Sequence, residues 1–172
     1  MYIDTDRKLV FIHVPRTGGS SVKNALGISS PFYKNGWHLS YFNIPSEFDD
    51  FFSFAFVRNP WDRFVSIYEY QRSKNYNGNK FHRQISKLPF SEWIHLFEYK
   101  DIQQLDYVGI KKLDFVGKFS NLKQQMKKIF DVDISHDNKS DRLEYREYYD
   151  EKTKDFVFKI AKDDIQHFKF EF

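Results

Sequence analysis

Two short segments of this chain carry residue types that bind anions. The first, Pro15-Arg16-Thr17-Gly18-Gly19-Ser20-Ser21, follows the apolar run Leu9-Val10-Phe11-Ile12-His13-Val14. Paired glycines let backbone N–H groups approach a ligand closely, and a helix that starts there adds its positive end. Arg16 supplies a full charge, and Thr17, Ser20 and Ser21 supply hydroxyl donors. Together they describe a cradle for an anion the size of phosphate or sulfate. The alternative is a plain Gly-Gly turn capped by serine. A Walker A loop, Gly-x-x-x-x-Gly-Lys-Ser/Thr, does not fit, because its first glycine and its Gly-Lys pair are both missing. The second segment is Val57-Arg58-Asn59-Pro60-Trp61-Asp62-Arg63-Phe64-Val65-Ser66. Arg58 falls at the C-terminal end of a strand, where open α/β sheets bind ligands. Ser66 lies two turns into the next helix and would meet the same anion only if the loop folds Arg58 back along that helix. Arg63 is equally suited to pairing with Asp62 or Glu69.

The elements that must position these residues can be read from periodicity. Residues 9–14 and 52–57 are nearly continuous apolar runs of the kind buried on both faces of a parallel sheet. A third short strand is expected at 115–119. Asn59 and Pro60 form an N-cap and first helical residue for a helix over 60–72, with Trp61, Phe64, Val65 and Tyr68 on its core face. Further helices are expected at 20–26, 89–99, 121–130 and 151–168, with a polar loop at 74–80. Strands alternating with helices predict an α/β fold, a mostly parallel central sheet flanked by helices. No repeat or linker divides the chain, so residues 1–172 are read as a single domain.

Composition narrows the classes. The 172 residues include 27 Lys+Arg and 24 Asp+Glu, for a net charge of +3. The aromatic share of 20% is incompatible with disorder. No apolar run approaches membrane-spanning length, and the first residues lack a signal-peptide pattern. There is no cysteine, which removes disulfides and thiolate metal sites and makes a cytoplasmic setting the default expectation. The charge is uneven. Residues 58–83 hold six basic and two acidic side chains, and residues 131–172 hold eight basic and twelve acidic ones. A local basic patch on a balanced chain points to a small anionic ligand more than to a long nucleic acid.

The segments from Phe11 to Ser21 and from Phe54 to Ser66 resemble the PAPS-dependent sulfotransferases, most closely their carbohydrate sulfotransferase branch. In that family the first segment is the 5′-phosphosulfate loop, commonly Pro-Lys-Thr-Gly-Gly-Thr-Ser, and the second is the 3′-phosphate motif, Arg-Asn-Pro-x-x-Arg-x-x-Ser. The resemblance extends to Asp114-Phe115-Val116-Gly117-Lys118-Phe119, like the family's third core strand, and to Tyr145 through Asp150, before its C-terminal helix. It implies a P-loop-like nucleotide-binding core and the donor PAPS, with PAP as product. Arg16, Thr17, Gly18, Gly19, Ser20 and Ser21 would hold the 5′-phosphosulfate, and Arg58 and Ser66 the 3′-phosphate. Asn138, Lys139 and Ser140 match a polar loop that covers the donor nucleotide in related enzymes, with a solvated charged loop as the alternative. Two positions depart from the pattern. Arg16 stands where the family has lysine, a fixed fork in place of a mobile point charge. Ser120 stands where the family often has glutamate.

Sulfuryl transfer demands positioning, stabilisation of charge on the leaving phosphate oxygen, and a base for the acceptor hydroxyl. Arg16 is the expected electrostatic catalyst. His38, between the two anion segments, resembles a family histidine and is the candidate base; His13 is second, and Glu69 stays open. No histidine spacing indicates a metal. Gln103 and Gln104 would contact an acceptor or only water. The acceptor, a small molecule or glycan with a sugar expected, would meet segments 31–50 and 74–110. Neither a nucleic-acid nor a membrane partner is expected, and the oligomeric state is open. Competing readings are a nucleotide or small-molecule kinase, and a nucleic-acid-binding module that stacks bases on its aromatics.

Overall fold

A computed structural model describes residues 1–28, 38–73, 76–98, 102–134 and 142–172. Four strands form one sheet in the order β1-β2-β3-β4: β1 (Tyr2–Asp4), β2 (Leu9–Ile12), β3 (Phe52–Val57) and β4 (Phe115–Lys118). Eight α-helices occur among the described residues: α1 (Gly19–Ala25), α2 (Pro60–Arg72), α3 (Lys80–Ile85), α4 (Phe90–Leu96), α5 (Leu105–Val108), α6 (Leu122–Phe130), α7 (Glu151–Ile160) and α8 (Lys162–Phe168). The fold is therefore α/β, as the alternating pattern predicts. None of the described helices is long and apolar enough to cross a membrane.

The sheet is parallel where ligands would bind. β2 pairs with β3 from Leu9↔Phe52 to Ile12↔Ala55, and β3 pairs with β4 from Phe54↔Phe115 to Val57↔Lys118, both in parallel register. β1 runs antiparallel to β2, with Tyr2 opposite Phe11. Three residues with a polar end give no periodic signal, which is why the sequence does not announce this edge strand. All four residues of β2 are buried, as are the last four of β3. Such runs cannot face solvent on either side.

The chain forms two compact units, one comprising Met1–Arg58 and Gln103–Lys139, the other Asn59–Ile102 and Ser140–Phe172. The first contains the sheet. Phe11, Phe54 and Phe56 pack there with Val22 and Leu26 on one side of the chain's first turn and Leu122 and Met126 of α6. Each such burial is worth about 1.5–3 kcal/mol. The second unit has its own core, in which Trp61, Phe64, Val65 and Tyr68 of α2 meet Trp93, Ile94, Val157 and Ile165. Asn59 caps α2 by accepting from the Trp61 N–H at 3.1 Å. The helix expected over 151–168 is two helices: Ala161 leaves the helical region (φ −114°, ψ 26°), and Asp163 and Asp164 open a new first turn, where carboxylates suit the helix dipole.

A side-chain clasp fixes β3 against the start of β4. Asp114 Oδ2 accepts from the Ser53 N–H at 2.7 Å and from the Ser53 hydroxyl at 2.8 Å. These hydrogen bonds from Ser53 hold the Asp114 carboxyl below its ordinary range. Asp114→Ala should lower stability by about 1 kcal/mol in urea unfolding at neutral pH. The lowered pKa makes the clasp fully effective above the ordinary carboxylate range. The difference between variant and parent should therefore shrink as pH falls through it.

Candidate anion-binding site

The first corner is built on a backbone that few residues tolerate. Past β2 the chain turns at Arg16, in the left-handed region with φ 65°, and again at Gly18, with φ 85°. A Cβ on Gly18 would lie 2.8 Å from Leu122 Cδ2 and 2.9 Å from Phe119 Cε2, so the site needs glycine on both counts. Gly19 opens α1, and a Cβ there would fall 1.9 Å from Cδ2 of His13. The imidazole of His13 thus fills the space that Gly19 leaves empty. Thr17 is fully buried, and its hydroxyl donates to the Val14 carbonyl at 2.9 Å. That hydrogen closes the turn, which leaves the Thr17 backbone as its means of meeting a ligand. Ser20 is exposed and Ser21 half-buried at the start of α1.

The second corner reaches the first. Arg58 follows β3 and is 8% exposed. Its guanidinium lies 4.2 Å from the centre of the Phe119 ring, and Nη1 donates to the Arg16 carbonyl at 3.1 Å. Two motif arginines 42 positions apart are joined through the backbone of one of them. Phe119 serves both corners, since the same ring borders Gly18. The strand expected over 115–119 ends at Lys118, and Phe119 begins a 3₁₀ turn that turns its ring toward the corners. Gln104, expected at an acceptor or in water, is instead fully buried and bonded to the Arg58 peptide. A glutamine in a polar loop carries no sequence signal for such a position.

His38 is exposed, and its Nδ1 lies 3.0 Å from the His13 carbonyl oxygen. A carbonyl only accepts, so the hydrogen-bond network assigns the proton to Nδ1 and leaves Nε2 as the basic nitrogen. The two imidazoles meet edge to face, 4.8 Å between centres. His13 itself is buried, and its Nδ1 finds no hydrogen-bond partner. Burial first, then the charges of His38, the amino terminus, Arg16 and Lys23, push its pKa from 6.5 down to about 3. It is a neutral packing residue under the turn and no proton acceptor at neutral pH.

Ser66 is buried on α2 in the second unit. Arg63, also buried there, donates to the Ile102 carbonyl. Asp62 pairs with Arg142, and Glu69 accepts from the Tyr148 hydroxyl at 3.0 Å. Asn138, Lys139 and Ser140 lie outside the described residues. Among the described residues no group of three or more His, Cys, Asp or Glu could hold a metal ion.

Residues 1–171 match the Sulfotransferase family. The chain belongs to that family. The match spans both units and every position singled out above. No curated protein and no solved structure gives a match. Sulfuryl transfer is accordingly the reaction class.

Two outcomes test how the first corner is built. Gly19→Ala should destabilise by about 1–3 kcal/mol through overpacking against His13, and His13→Ala in the same chain should recover part of the loss. Unfolded His13 takes up a proton below 6.5, whereas folded His13 waits until about 3. Unfolding therefore binds a proton between those values, and stability falls as pH drops through them. In His13→Gln, denaturant titrations across pH 3 to 6.5 should show that acid slope reduced by up to about 1.4 kcal/mol per pH unit.

Proposed function

We propose that this chain transfers a sulfuryl group from PAPS to a hydroxyl acceptor, a carbohydrate, by in-line displacement. The observation that supports the reading is the Arg58 guanidinium on the Arg16 carbonyl, which joins a residue of the family's second anion motif to the backbone of its first. Arg58 then takes the donor's 3′-phosphate, the group that the resemblance also assigns to Ser66. Arg16 and the backbone N–H groups from Thr17 to Ser21 take the 5′-phosphosulfate, and Asn138, Lys139 and Ser140 cover the nucleotide.

The chemistry needs one bond made and one broken. The acceptor oxygen attacks sulfur while the bond from sulfur to the 5′-phosphate oxygen breaks, and that oxygen leaves with the electron pair. Charge grows on the leaving phosphate, where Arg16 and the turn amides would stabilise it. The acceptor proton passes to Nε2 of His38, the nitrogen that the His13 carbonyl leaves unprotonated. Acceptor contacts come from the 31–50 and 74–110 segments.

Thermal-shift and transfer assays test this reading. PAP should raise the melting temperature without added metal, whereas ATP with Mg²⁺ or an oligonucleotide should not. Arg58→Ala should abolish the PAP shift; an undiminished shift would sink the assignment. His38→Gln should retain PAP binding and lose about 10²–10⁴-fold in transfer rate. Unchanged turnover in that variant would remove His38 as base.

A further inference from the structure

Gln104 is 0% exposed, which is uncommon for a glutamine unless its amide is fully engaged. Here the amide closes a ring with one peptide unit pair. The Arg58 N–H donates to Gln104 Oε1 at 2.8 Å, and Gln104 Nε2 donates to the Arg58 carbonyl at 2.8 Å. The last register pair between β3 and β4 is Val57↔Lys118. One step beyond it, the Gln104 side chain supplies the donor and acceptor that a neighbouring strand would supply. Gln104 is itself held by its backbone, whose carbonyl accepts from the Tyr107 N–H at 3.0 Å and the Val108 N–H at 3.2 Å as α5 begins. The Arg58 backbone is therefore fixed at one end, and its guanidinium is fixed at the other by Phe119 and the Arg16 carbonyl.

We propose that Gln104 is a positioning residue that aims Arg58, and through it sets how strongly the site prefers a donor nucleotide bearing a 3′-phosphate over one lacking it. This rests on the reading above that Arg58 meets the 3′-phosphate. A neutral amide suits the task. It satisfies both Arg58 backbone groups without cancelling the guanidinium charge that the phosphate needs. A glutamate would keep one of the two bonds, set a second acceptor against the Arg58 carbonyl and bring a negative charge beside the cation. Arg–phosphate hydrogen bonds depend on direction, so a tilted guanidinium loses specificity before it loses charge.

The test compares PAP with adenosine 5′-phosphate by calorimetry at fixed ionic strength, because the two ligands differ only in the 3′-phosphate. In the parent chain PAP should bind more tightly. Gln104→Met keeps similar volume and removes both bonds; it should cut the preference for PAP about 10- to 100-fold, with adenosine 5′-phosphate affinity within about twofold of the parent. Phe119→Leu, which unseats the guanidinium without touching Gln104, should move the ratio in the same direction and covers the case in which Gln104→Met does not fold. In an Arg58→Ala background Gln104→Met should leave the ratio unmoved. An equal loss for both ligands, or a preference unchanged in Gln104→Met, overturns the positioning role alone. A parent chain that binds both ligands equally overturns that role and the 3′-phosphate reading together.

Discussion

Arg58 places a cation where little water reaches it, and the organisation of both corners follows from how that cation is held. An ion removed from water must find compensating dipoles or opposite charge. The partners described above are the Arg16 carbonyl and the face of Phe119, a dipole and a quadrupole. Both satisfy the guanidinium electrostatically, and neither neutralises it. These two contacts hold the guanidinium in place. The same contact ties the direction of Arg58 to the left-handed turn at Arg16, so neither corner can move far without the other.

Glycine and aromatic residues divide the remaining work. Gly18 and Gly19 have no Cβ where Phe119, Leu122 and the His13 ring need room. Those rings in turn hold the turn rigid from beneath, which matters because preorganised donors stabilise developing charge far better than mobile ones. His13 shows how far that packing is carried: a titratable side chain is kept neutral so that its ring can serve as filler. Its backbone carbonyl still takes part, by fixing the tautomer of His38.

Residue types at the corners were legible in the sequence, and so were the three parallel strands, because glycine pairs, an arginine after an apolar run and continuous hydrophobicity are local signals. The convergence was not. Nothing near Arg58 in sequence indicates that it ends on the Arg16 carbonyl, since that contact spans 42 positions and depends on the parallel register of β2 and β3. Phe119 reads as the last residue of a strand, and only the 3₁₀ turn after β4 turns its ring toward both loops. Gln104 reads as touching an acceptor or only water, because completing another residue's backbone hydrogen bonds leaves no local sequence signal. The hydroxyl of Thr17, counted among the ligand donors by type, is occupied by Val14 because the turn is tight enough to bring that carbonyl within reach.

The Gln104–Arg58 ring has one more consequence, for how the chain can be lengthened. Arg58 and Gln104 are separated by 46 positions, and nearly all of the intervening chain belongs to the second compact unit. The ring therefore clasps the neck of a long excursion at the point where it leaves the sheet-bearing unit and returns. Closing such a loop becomes costlier only slowly with size, by about 0.6 kcal/mol for each doubling. A longer or shorter excursion therefore changes the cost of closing the Arg58–Gln104 ring only slightly.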